Sequence, residues 1–241
     1  NGNWIMPLLS FKTMSTTKPH KVFCIGFMKT GTTTLNRALS MLGYRVSHNS
    51  WKWLKLIVKN DWPGIQQKMD SWDAVEDNPI PLIYKELDAL YPRSKFILTE
   101  REPEKWYNSV SYHVGDLSSP MHEWLFGRGK GLPRNDKKHT LNVFVKHREN
   151  VIEYFKDRPD DLLIIDITKI ENWDTICTFL GEEIPEAVFP HANRTAYDAD
   201  KNAGLKRRSK YFKKRILNPL KIWWYNQNHY IPTPNQRLEQ L

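Results

Sequence analysis

A lysine, a glycine and a run of threonines, Lys29-Thr30-Gly31-Thr32-Thr33-Thr34, are the residues of this chain best suited by type and spacing to hold an anion. They follow the apolar stretch 22–26, so the pattern predicts a short buried strand, a tight loop and the start of a helix. Gly31 admits a backbone conformation closed to residues with a Cβ, and the threonines offer a hydroxyl cap and several open N–H groups. Those donors, the positive end of the helix dipole and the Lys29 ammonium together make a site for a tetrahedral anion. Gly26 and Gly31 have the spacing of a Walker A loop. Thr32-Thr33 nevertheless stands where Lys-Ser/Thr belongs, and the lysine comes two residues before Gly31.

A second anion-binding candidate follows the stretch 95–100, whose composition predicts another strand. Arg101 stands at its end, and Pro103 suits the first turn of a helix, where a missing N–H costs nothing. Ser109 comes about two helical turns later. Guanidinium and hydroxyl then reach one phosphate, the first as a bidentate fork and the second as an added donor. Taken singly, each has an ordinary reading, a surface arginine or a helix serine. Two such elements in order, each after a strand, have a narrower one.

Lys29-Thr-Gly-Thr-Thr after one strand and Arg101-x7-Ser109 after another resemble the nucleotide-holding elements of the sulfotransferase superfamily, in its compact single-domain form. The resemblance extends over about residues 21–191, with its sharp motifs in those two windows. It implies an α/β fold with a P-loop-like parallel β-sheet flanked by helices. It implies sulfuryl transfer from 3′-phosphoadenosine 5′-phosphosulfate (PAPS) to a hydroxyl or amine of a small-molecule or carbohydrate acceptor, with PAP as product and no metal required. Lys29, Thr30, Gly31, Thr32, Thr33 and Thr34 then hold the phosphosulfate, and Arg101 and Ser109 the 3′-phosphate. Some family members close the 3′-phosphate site with basic residues near the C-terminus, a part that Arg207 or Arg208 is placed to play.

Such a transfer needs stabilisation of charge on the leaving phosphate, for which Lys29 is the candidate, helped by the N–H groups of Gly31, Thr32 and Thr33. It also needs a base for the acceptor's proton. The segment Val75-Glu76-Asp77-Asn78-Pro79 ends a further short strand. Side chains alternate along a strand, so one of Glu76 and Asp77 is expected to face the cleft; Asp77 is the first choice, Glu76 the second and His48 a reserve. Many cytosolic members of the family carry a histidine after the corresponding strand and others a glutamate, so the pair of carboxylates departs from the commoner pattern. Each also has a plain reading as a helix cap or a surface ion pair. Trp51 and Trp53 are candidates to stack on adenine, although a chain with ten tryptophans uses most of them in its core.

What must position these residues is an alternation of helix and strand without internal repeats. Helices are expected over 33–42, within 51–72, and over 81–91, 104–114 and 173–180. Further strands are expected at 44–48, 74–77 and 162–167, the last apolar enough to be covered on both faces. This alternation implies a parallel sheet with ligands beyond the C-terminal strand ends. The stretch 115–139, with Gly127-Arg128-Gly129-Lys130-Gly131, reads as a long mobile loop rather than a phosphate site.

With 241 residues, 40% hydrophobic and 26% charged, the chain is expected to form one domain over 21–200. Residues 1–20 read as an extension ahead of it, and 201–241 as a basic amphipathic helix and tail packed on the same domain. Two cysteines, Cys24 and Cys177, make no disulfide framework, and no apolar run approaches the ~20 residues of a membrane span. A cytoplasmic location is therefore expected, or the Golgi lumen if an anchor precedes this sequence. The net charge is +9, and nine lysines and arginines lie between 201 and 221 with no acid among them, so the remainder is formally neutral. That segment reads as a solvated basic face, with a nucleic-acid or membrane-surface binding module as the alternative; of those two partners the membrane surface is the one expected. The competing enzyme class is a P-loop nucleotide kinase, against which the missing Lys-Ser/Thr pair counts.

Overall fold

Five short apolar stretches pair side by side in parallel: β1 (Val22–Cys24), β2 (Val46–Ser47), β3 (Ala74–Val75), β4 (Lys95–Thr99) and β5 (Leu162–Ile165). Their order is β2-β3-β1-β4-β5. The computed structural model describes residues 18–47, 50–170, 172–191 and 216–227. The intervening helices are α1 (Thr32–Met41), α2 (Leu54–Val58), α3 (Trp62–Met69), α4 (Tyr84–Leu90), α5 (Pro103–Val114), α6 (Pro120–Phe126), α7 (Lys137–Phe155) and α8 (Asp174–Leu180). Phe23 stands in register with Val75 on one side and Phe96 on the other. The chain crosses β1 in passing from β3 to β4, which puts β1 at the switch point where ligands bind in such sheets.

The two-residue period of the strands divides the core. Phe23, Ile25, Val75, Phe96 and Leu98 face one way, against Ile57, Ile65, Met69, Leu87, Val151 and Phe155 of the covering helices. Val22, Cys24, Ala74 and Ile97 face the other way, against Leu35 and Leu39 of α1 and Ile176 and Leu180 of α8. A third cluster joins Phe27 to Trp106 of α5 and Phe144 of α7, whose rings stack 4.1 Å apart at 12°. It fills the space behind the loop that follows β1.

The α/β class and most element positions agree with the sequence reading, and three features correct it. β5 is the outermost strand and ends at Ile165, and Ile164 is 37% exposed. Its apolar run therefore marks a sheet edge with one face only partly covered. The stretch 115–139 is not one loop. It contains α6, capped by Ser119, and the glycines beyond it are tied down by the Glu123 carboxylate, which accepts from the amides of Gly129 (2.5 Å) and Gly131 (3.2 Å). Lys130 is paired with Asp136 at 2.7 Å. Third, α7 runs for 19 residues where no helix was expected, burying Val143, Phe144, His147, Val151 and Phe155 at helical spacing.

The helical residues 216–227 dock on the body through the Asn218 amide, which donates to the Ser118 carbonyl at 2.5 Å, and through Tyr225 against the first core cluster. Arg207, Arg208 and His48, named above as candidates, lie outside the described residues.

Candidate active site

Close approach of two strands fixes where the site begins. A Cβ on Gly26 would lie 1.9 Å from Thr99 Oγ1 and 2.7 Å from the Thr99 amide nitrogen, so the chain passes β4 only as glycine. The loop that follows is held by its carbonyls. That of Phe27 accepts from the Thr30 hydroxyl (2.6 Å), that of Met28 from the Trp106 indole (2.9 Å), and that of Lys29 from the Arg101 guanidinium (3.0 Å). With these acceptors engaged by the body, the loop presents donors at its other side. Lys29 has φ 71° and Gly31 φ 98°, so a non-glycine residue sits in the left-handed region at the heart of the loop. Such backbone strain clusters at functional sites.

Gly31 itself is the N-cap of α1, so the expected hydroxyl cap is absent, and among the described residues no N-cap side chain bonds to the first turn. The Gly31 carbonyl accepts from Thr34 (2.9 Å) and Leu35 (3.2 Å). Among the described residues no backbone carbonyl takes the amides of Thr32 and Thr33, and both residues line the cleft. An uncapped helix start with open amides is an anion site. Thr30 is the exception within the motif. It is fully buried, and its hydroxyl lies 2.6 Å from the Phe27 carbonyl and 2.5 Å from Thr99 Oγ1. It fastens the loop to β4 and offers nothing to the cleft.

The cleft has a volume of about 590 Å³ and gathers Lys29, Gly31, Thr32, Thr33, Thr34, Glu76, Asp77, Arg101 and Ser109 on one surface. That volume falls in the range of small-molecule and cofactor sites. α5 starts as expected with Pro103 in its first turn, but Glu102 caps it by accepting from the amides of Glu104 and Lys105. Its helix end is thus already satisfied, and what α5 contributes is side chains. Ser109 is 1% exposed, lines the cleft, and its hydroxyl has no hydrogen-bond partner among the described residues. A buried orphan of this kind calls for an acceptor from outside the protein.

The two carboxylates correct the alternation argument. β3 ends at Val75, and Asp77 takes φ 74°, so the strand period no longer applies and both Glu76 and Asp77 line the cleft. The Asn36 amide donates to Glu76 Oε1 at 2.9 Å, and the Ser50 hydroxyl donates to the Glu76 carbonyl at 2.5 Å. Burial, with the Asp77 charge second, pushes the Glu76 carboxyl up to about 8, against the opposing Asn36 bond. Burial also raises Asp77, offset by its bond from the Asn78 amide. The pair therefore carries less than two negative charges at neutral pH.

Sequence reasoning missed Lys105, Lys169 and Thr168, which join the cleft from the first turn of α5 and from the turn after β5. Lys105 lies four residues before Ser109 in α5, a spacing that puts both on one face of that helix. Lys169 had no local signal, since only the β4–β5 pairing brings it near. Trp51 and Trp53 do not line the cleft: Trp51 is 53% exposed with the Lys52 ammonium 5.7 Å from its ring, and Trp53 packs against the first core cluster.

A family model described as a sulfotransferase domain matches residues 21–128 and 112–197, which is most of the chain and all of the cleft just described. The chain belongs to the sulfotransferase family. Among curated proteins it is similar to "Ava biosynthesis cluster protein M" of Aspergillus versicolor, 26% identical over 214 residues, 71% of this chain and 80% of that protein.

Proposed function

We propose that the protein is a PAPS-dependent sulfotransferase that moves a sulfuryl group to a hydroxyl or amine. One observation carries the reading: Arg101 donates to the Lys29 carbonyl at 3.0 Å, so the anion-holding elements after β1 and after β4 share one cleft. A nucleoside phosphorylated at both ends needs two such elements side by side. The orphaned Ser109 hydroxyl fits the 3′-phosphate, which a plain nucleoside 5′-phosphate does not have. The relative's name places it in a biosynthesis cluster, which supports a small-molecule acceptor over a carbohydrate.

When bound, PAPS supplies the sulfuryl group that passes to the acceptor. The Thr32 and Thr33 amides and the Lys29 ammonium set positive charge where the 5′-phosphate becomes the leaving group. Arg101, Ser109 and Lys105 hold the 3′-phosphate. Asp77 takes the acceptor's proton, and Glu76 keeps its own, so the cleft floor bears one negative charge rather than two beside an anionic donor.

The test is transfer of radiolabelled sulfuryl from PAPS to a panel of phenols, alcohols and amines by the full chain. Lys29→Ala is expected to lower the rate on the order of 10²–10³-fold, the effect of removing one preorganised oxyanion donor. Phosphoryl transfer from Mg-ATP without sulfuryl transfer would restore the kinase reading.

A further inference from the structure

The helical residues 216–227 bury one side and expose the other in a way the cleft does not explain. Asn218 is 8% exposed and Tyr225 packs on the core, whereas Ile216 is 56% exposed, Leu217 49%, Leu220 64%, Trp223 62% and Trp224 44%. At 100° per residue these five fall within about 120° of the helix circumference, opposite the docked Asn218 and Tyr225. A contiguous exposed apolar stripe of this kind marks an interaction surface.

Its chemistry is that of an interfacial helix. Two tryptophans sit on the apolar stripe, the residue type that settles at the headgroup level of a bilayer. Lys221 adjoins the stripe, and the sequence running into the helix carries eight further positive charges from Lys201 to Arg215 with no acid. A groove on a partner protein would take the apolar residues and a nucleic acid the charges; an anionic lipid surface takes both at once. The 12 described helical residues extend about 18 Å, short of the ~30 Å of hydrocarbon, and among the described residues no helix is long and apolar enough to cross a membrane. We propose that the helix at 216–227 is a peripheral membrane anchor that lies on anionic bilayers with Ile216, Leu217, Leu220, Trp223 and Trp224 immersed. This surface lies apart from the cleft residues and its assignment does not rest on the proposed reaction.

The full chain is to be sedimented with vesicles of phosphatidylcholine alone and of phosphatidylcholine with about one-third phosphatidylserine, and its tryptophan fluorescence quenched with brominated lipid. Binding to the anionic vesicles is expected, weakening as salt rises. The double variant Trp223→Ser, Trp224→Ser should lose at least tenfold in affinity together with the bromine quenching. Replacing Lys213, Lys214 and Arg215 by glutamine should cost roughly fivefold per charge, in anionic vesicles only. Trp223 and Trp224 are exposed, so their replacement leaves the core untouched, and unchanged thermal unfolding of each variant verifies that it folds. Failure to sediment with anionic vesicles overturns the proposal, as does binding that the tryptophan variant retains. Concentration-dependent self-association, or oligonucleotide binding, that the variant abolishes while vesicles bind neither form would also overturn it.

Discussion

Glu76 and Asp77 are adjacent acids that line one cleft in different surroundings. A carboxyl raised to about 8 is neutral at pH 7, whereas its neighbour, relieved of a second charge, ionises first. If Asp77 is the base, Asp77→Asn should lower kcat on the order of 10²–10⁴-fold. Glu76→Gln should leave the rate at pH 7 nearly intact and remove a decline in kcat/KM for PAPS above about pH 8, where wild-type Glu76 ionises and adds a charge that repels the donor. A profile in which the rate instead climbs through pH 8 and vanishes in the glutamine variant would reassign the base to Glu76. The candidates at this scale were legible unequally. Lys29 and Gly31 after β1, and Arg101 and Ser109 after β4, could be placed on the cleft because each pair follows from spacing along a single strand–loop–helix unit. Thr30 could not, because its burial depends on Thr99, distant in sequence. The sharing of the cleft by both acids depends on a left-handed residue that no strand pattern predicts.

The element that carries the site is the turn from β1 into α1, and its geometry comes from how closely β1 passes β4. Gly26→Ala is expected to destabilise the fold by about 1–3 kcal/mol, the usual cost of forcing atoms into packed space. The clash falls partly on Thr99 backbone atoms, which cannot swing aside. Chemical denaturation with an unchanged slope and a lower midpoint would verify it; an unchanged midpoint would show that β1 and β4 have room to part. Strands and helices near the motifs were readable from apolar period and from Pro103 and Gly181, which mark a helix start and a left-handed helix stop. α7 was not read, although Val143, His147, Val151 and Phe155 recur every four residues, because its polar surroundings dilute the stripe. The edge position of β5 is a property of sheet order, which no single strand's composition encodes.

At the scale of the molecule, the cleft and the core are coupled through His147. Its Nε2–H donates to the Ile25 carbonyl at 2.8 Å and the ring stacks on Phe27 at 4.3 Å, at the base of the anion loop. Full burial lowers its pKa from 6.5 to about 4, against the opposing backbone bond. As pH falls below 6.5 the unfolded chain binds a proton that the folded chain refuses until about 4, so stability drops across that window by up to about 3 kcal/mol. Urea unfolding between pH 7 and pH 4.5 should show this slope in the wild type and lack it in His147→Gln; parallel curves would mean that the ring is protonated in place. The central claim concerns the whole sheet: two anion sites, one beyond β1 and one beyond β4, accept opposite ends of one nucleotide. Calorimetric titration with PAP beside ADP tests it most directly. The account predicts about micromolar affinity for PAP, and a loss of about 10- to 100-fold in Ser109→Ala, the scale of one hydrogen bond to a charged group. ADP should bind more weakly to the wild type and be indifferent to that substitution. Equal affinity for PAP and ADP, unchanged by Ser109→Ala, would contradict it.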